Sequence, residues 1–167
     1  MRARALAWLS WLSLVAIVLI AGCAQPALAP QQNNVSTSTW SGHLAVRVDA
    51  DPPQSFSAQF DLRGNADAGE LALYNPLGST IAILTWAPGR ATLAQDGRSR
   101  DFDSLDALVA RALGTAIPVA ALFDWLRGTD AQAAGWQADL SQLATGRLSA
   151  RRASPLPAAE LRVALDR

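Results

Sequence analysis

No lysine occurs anywhere in the 167 residues, and cysteine, histidine, methionine and tyrosine occur once each. Each scarcity closes off a class of function. A single cysteine cannot form an internal disulfide. With His43 as the sole histidine, a His/Cys metal cluster is excluded, because such sites need several nitrogen or sulfur ligands. A nucleophile–base pair would have to join His43 to an unidentified serine, so no catalytic residue is assigned and an enzyme is not expected. No glycine-rich phosphate loop is present. Basic and acidic residues balance at fourteen each, which leaves no basic stripe of the kind nucleic acid requires. The all-arginine cation set reads as GC-rich codon usage, not as a binding surface. Asp101, Asp103 and Asp106 cluster, but beside a helix start, where acidic groups suit the helix dipole.

Apolar residues, in contrast, dominate the N-terminus. Arg2 and Arg4 precede an apolar run from Ala5 to about Ile20, followed by small residues, the pattern of a secretory signal. The run is short for a membrane span of about 20 residues. It ends in Ile20-Ala21-Gly22-Cys23, which resembles a bacterial lipobox, where cleavage precedes a cysteine that then carries lipid. Several acyl chains on one residue give stable anchoring, for which about two signals are needed. No separate cofactor is expected, only the covalent N-acyl and diacylglycerol lipid on Cys23. Ala24 follows, where Asp would signal retention in the inner membrane. Residues 1–22 are therefore read as a signal peptide. Residues 23–39, rich in Pro, Gln, Asn, Ser and Thr and without charge, form a tether or an irregular arm. Residues 40–167 form one domain.

Residues 42–49 and 55–62 alternate apolar and polar side chains, the period of half-buried strands. Residues 71–74 and 81–86 are apolar on both faces, and 91–94 and 99–102 follow across Pro88-Gly89 and Asp96-Gly97 turns. Short strands with short turns predict an antiparallel meander. The period then changes. Leu105, Leu108, Val109, Ala112 and Leu113 form a helical stripe, capped by Asp103 or Ser104 and stopped at Gly114. Pro118 suits the first position of a second helix that stops at Gly128. Strands resume at 136–140, 147–151 and 160–165.

Taken in order, the lipobox, GHLAVRV (42–48), NPLGST (75–80), the tryptophan of LTWAPGRATL (84–93), the Gly-x-x-Ile-Pro between the helices, DWLRG (124–128) and Gly135-Trp136 resemble the LolB family of outer-membrane lipoprotein receptors. The resemblance runs from about Trp40 to the C-terminus. It implies a mainly β fold, an incompletely closed antiparallel β-barrel with a short α-helical lid over a hydrophobic cavity. It also implies a lipid-anchored protein of the outer membrane, facing the periplasm. Such a protein takes acylated lipoproteins from a periplasmic carrier of the LolA type and inserts them into outer-membrane lipid. A monomer is expected, with no nucleic-acid partner.

The physics of acyl chains agrees with that expectation. Each methylene hidden from water is worth about 0.8 kcal/mol, and a curved sheet with one apolar face under apolar helices makes a concave site. Candidate lining residues are Leu44, Val46, Phe56, Phe60, Leu73, Ile81, Ile83 and Trp86 from strands and Leu108, Leu122, Phe123, Trp125 and Leu126 from helices. Each could equally be core. Asn75-Pro76-Leu77-Gly78 matches the family's protruding loop, whose apolar tip touches the membrane. Leu77 either serves as that tip or folds back as a plug. A lipid- or small-ligand-binding lipoprotein, or a structural part of an outer-membrane assembly complex, remains an alternative function.

Overall fold

The computed structural model describes residues 38–113, 115–133 and 135–166. Residues 1–22, Cys23 and the tether up to residue 37 lie outside the described residues. Six strands come first: β1 (Ser38–Val48), β2 (Gln54–Gly64), β3 (Gly69–Tyr74), β4 (Thr80–Ala87), β5 (Arg90–Gln95) and β6 (Arg98–Phe102). Ser38 and Thr39, expected in the tether, belong to β1, which extends the alternation toward the N-terminus as far as Gly64 of β2 can pair with it. Two helices follow, α1 (Leu105–Leu113) and α2 (Val119–Leu126). Then come β7 (Trp136–Asp139), a 3₁₀ turn (Leu143–Thr145), β8 (Arg147–Arg152) and β9 (Ala159–Leu165).

The strands form one antiparallel sheet in the order β6-β5-β4-β3-β2-β1-β9-β8-β7. Nearly every neighbour in the sheet is also a neighbour in the chain, as short connections favour. The exception is β1 against β9, where Val46 faces Leu161. Because β6 and β7 do not pair, the curled sheet stays open. The helices sit in the connection between those two edge strands.

Helix ends follow local chemistry. The Ser104 hydroxyl accepts the Ala107 N–H at 3.1 Å, so Ser104, not Asp103, caps α1. Pro118 precedes the first helical residue of α2, in extended conformation at ψ 93°. Its carbonyl accepts the Leu122 N–H at 2.9 Å, which is the part a cap residue plays. At the other end Gly128 takes φ +84°. Thr129 N–H then reaches the Asp124 carbonyl and Gly128 N–H the Trp125 carbonyl, both at 2.9 Å, which satisfies carbonyls the helix leaves open.

The core lies between the concave face of the sheet and the helices. Val46 and Val48 of β1, Phe60 and Leu62 of β2, Leu84 and Trp86 of β4, and Leu161 and Val163 of β9 are buried there with Phe123 and Leu126 of α2. Phe123 has no exposed surface. Its ring meets Trp40 edge-on at 5.6 Å and Trp86 at 6.1 Å, spacings at which aromatic pairs attract beyond area burial. The described residues, which fall within 38–166, lie in one compact unit, and every described core residue is inside it.

Candidate functional site: a lidded apolar cavity and a braced loop

Between sheet and helices the packing leaves a cavity of about 450 Å³. Alternation explains most of its wall. Leu44 and Val46 of β1, Phe56, Phe60 and Leu62 of β2, Leu71 and Leu73 of β3, and Leu161 and Val163 of β9 share the concave face. Leu93 of β5 and Phe102 of β6 continue it. From above, Leu105, Val109 and Ala112 of α1, the linker's Ile117, and Val119, Leu122, Phe123 and Leu126 of α2 complete the wall.

Ten of the thirteen expected lining residues come together here: Leu44, Val46, Phe56, Phe60, Leu73, Ile81, Trp86, Leu122, Phe123 and Leu126. Three do not. Ile83 lies on the outer face and is partly exposed. A bulge causes this. Leu73 pairs with Ala82 but Tyr74 with Thr80, so Ile81 is an extra residue that resets the alternation. Ile81 and Ala82 both reach the cavity, and beyond them Leu84 and Trp86 face inward while Ile83 faces out. Leu108 is fully buried but presents no surface to the cavity. Trp125 is also fully buried, on the flank of α2 away from the cavity. Its ring lies 6.5 Å from that of Trp136, and its indole N–H donates to the Ala131 carbonyl at 2.9 Å. An apolar helical stripe is wider than the cavity beneath it, so its margins become ordinary core.

Among the residues sequence reasoning missed, Leu161 and Val163 carried a signal, the clean alternation of β9. Arg152 carried none. It lies at 7% exposure on the inner side of β8, with its guanidinium 5.6 Å from the Trp136 ring centre. It donates to the Thr115 hydroxyl, to the Ala116 carbonyl at 3.2 Å and to the Pro157 carbonyl at 2.8 Å. The α1–α2 linker is thereby fastened to the sheet. Its Nε has no partner among the described residues.

The second element is the β3–β4 loop. Leu77 is 91% exposed. It does not fold back, so the plug alternative fails. The loop holds this apolar side chain out by bracing its own backbone. The Asn75 side-chain oxygen accepts the Leu77 N–H at 2.9 Å and the Ser79 N–H at 3.0 Å. The Asn75 carbonyl accepts the Gly78 N–H at 2.9 Å, and Asn75 N–H donates to the Ser79 carbonyl at 3.0 Å. Pro76 fixes the turn's first φ, and Gly78 adopts φ +81° with open space around it.

No carboxylate side chain lines the cavity among the described residues. The Thr92 hydroxyl and then Arg90 hold Asp101 below the usual carboxylate range on the outer face. Burial pushes Glu160 up, but hydrogen bonds from Arg162 and Arg151 outweigh this and leave it lowered. No cluster of three His, Cys, Asp or Glu side chains suited to a metal occurs among the described residues. What the site offers is space, apolar surface and one exposed leucine, an arrangement for binding.

A family model described as outer membrane lipoprotein LolB matches residues 37–155. An outer-membrane lipoprotein LolB from Bordetella petrii is 36% identical over 154 residues, covering 79% of this chain and 77% of that protein. One from Chromobacterium violaceum is 32% identical over 119 residues, 68% of this chain and 64% of its own length. One from Chromohalobacter salexigens is 30% identical over 139 residues, 75% of this chain and 64% of its own length. The chain thus spans just under two thirds of the latter two relatives.

Proposed function

The chain belongs to the LolB family of outer-membrane lipoproteins, and from that premise we propose that it accepts lipoproteins by their acyl chains and releases them into the outer membrane. The observation that carries this reading is the separation of two devices in one domain, an apolar cavity under a helical lid and a braced loop that exposes Leu77. A protein that only stored a ligand would need the cavity but gain nothing from the leucine. Cargo chains enter between the concave sheet face and α2, where Phe60, Leu122 and Phe123 line the wall. Each methylene moved there from water contributes about 0.8 kcal/mol. Release needs a competing apolar phase close by, and Leu77 brings the domain against one. No bond is made or broken in this cycle.

Cargo arrives on a soluble periplasmic carrier of the LolA type, because acyl chains cannot cross an aqueous space exposed. The receptor itself is held at the outer membrane by lipid on Cys23, with residues 24–37 as its tether. The test mixes the domain of residues 34–167 with a carrier–lipoprotein complex, then adds outer-membrane vesicles. The cargo is expected to move to the domain and then to the vesicles. Cargo that stays on the carrier would refute the reading. For the anchor, Cys23→Ala is expected to leave the precursor uncleaved and unlipidated, and normal maturation of that variant would refute the lipid assignment.

A further inference from the structure

The cavity wall is apolar except at one corner. There β5 and β6 contribute Gln95 and Arg100, and α1, packed over those strands, contributes Arg111. Arg100 pairs across the strands with Leu93, which places it on the concave face of an edge strand. Both arginines line the cavity and are also exposed, so the cavity meets water between them. Neither has a carboxylate partner among the described residues; Arg63, Arg98, Arg147 and Arg152 share that state, but only Arg100 and Arg111 line this cavity. Nearby acids are turned elsewhere. Asp101 is held by Thr92 and Arg90 on the outer face. Asp106 sits about 140° around α1 from Arg111, at 3.6 residues per turn.

We infer that this corner is a head-group site, and that the cavity takes single-chain amphiphiles with an anionic oxygen head, carboxylate or phosphate, chain inward and head at Arg100 and Arg111. The inference rests on the acyl-cavity reading but goes beyond it. An acylated cysteine bears its chains through neutral ester and amide links, whose carbonyls can accept a hydrogen bond but carry no negative charge to pair with two arginines. A carboxylate or phosphate matches the guanidinium's planar donor pair. Gln95 adds an uncharged donor beside them. Inward-pointing charge also protects an edge strand from pairing with another chain, a role that requires no ligand.

The test displaces the neutral, fluorescent N-phenyl-1-naphthylamine from the domain of residues 34–167 with decanol, decanoate or decyl phosphate, which share one chain length. Decanoate or decyl phosphate is expected to displace the probe at about two- to thirty-fold lower concentration than decanol, the range of two solvent-facing ion pairs. The tighter of the two anions identifies the source, a free fatty acid or a phospholipid fragment. Arg100→Gln with Arg111→Gln is expected to remove the preference, so that both anions displace the probe no better than decanol. Equal displacement by all three ligands, or a preference that survives in the double variant, overturns the head-group site alone. Failure of every chain, decanol included, sinks the acyl cavity and the head-group site together.

Discussion

Replacing Leu77 by aspartate separates folding from membrane contact. In water the change is expected to be nearly silent. The side chain is 91% exposed, and the bonds that shape its loop are made by Asn75, Gly78, Ser79 and the Leu77 backbone N–H. Exposed substitutions of that kind move stability by less than about 0.5 kcal/mol. At a membrane the same change is large. Burying a leucine side chain is worth about 1.5–3 kcal/mol, roughly a ten- to 150-fold factor in partitioning, all of which Leu77→Asp forfeits. An aspartate carried into the apolar layer costs about 2.5–3.5 kcal/mol more. Vesicle binding is therefore expected to fall at least about tenfold, with melting temperature and cargo acceptance unchanged. Co-sedimentation with vesicles, thermal melting and carrier-to-domain transfer measure the three quantities. A variant that binds vesicles as well as the parent refutes the membrane role. One that melts early refutes the claim that the loop supports itself. Asn75→Ala supplies the matching control, since it keeps the leucine and removes the brace; vesicle binding should weaken less than in Leu77→Asp.

Three further outcomes follow from the packing. Arg152→Met leaves buried Thr115 and the less buried Ala116 and Pro157 carbonyls without their donor, and at about 1–3 kcal/mol for the one stranded buried group urea unfolding should show a loss of at least that size. Phe123→Ala should cost about 3–5 kcal/mol, as buried aromatics do, whereas Leu122→Ala should cost less because one side of it already faces empty space; the latter is the variant in which acyl binding can be read with the fold intact. Glu160 is lowered in the folded state by Arg162 and Arg151 against the opposing effect of burial. Its contribution to stability is thus complete above the ordinary glutamate value of about 4.3 and is lost as pH falls through the depressed one. Unfolding as a function of pH should lose that acid slope in the Arg151→Gln, Arg162→Gln double variant.

The order of strands and helices was legible because period two and period 3.6 are written directly into residues such as Leu44, Val46, Leu105 and Val109. The open sheet came from the family resemblance; periodicity says nothing about closure. What stayed hidden depended on geometry that local pattern does not encode. One extra residue at Ile81 reversed the face of Ile83. The width of the helical stripes hid the difference between Phe123, which sees the cavity, and Trp125, which sees Trp136. The arginines were the largest omission. Their abundance reads as codon usage, yet Arg152 is buried and Arg100 and Arg111 line the cavity. A charged side chain's place depends on partners distant in sequence, such as Thr115 for Arg152.

The gap in the sheet has a mechanical consequence. The edge strands β6 and β7 share no ladder, so they can move apart without breaking a single strand–strand hydrogen bond. What spans them is the helical connection: α1 rests on β5 and β6, and the linker after it is tied through Arg152 to β8, beside β7. The helices therefore act as a hoop around a sprung sheet. A bulkier guest that widened the gap would load the helical contacts and the Arg152 hydrogen bonds and would leave every strand ladder whole.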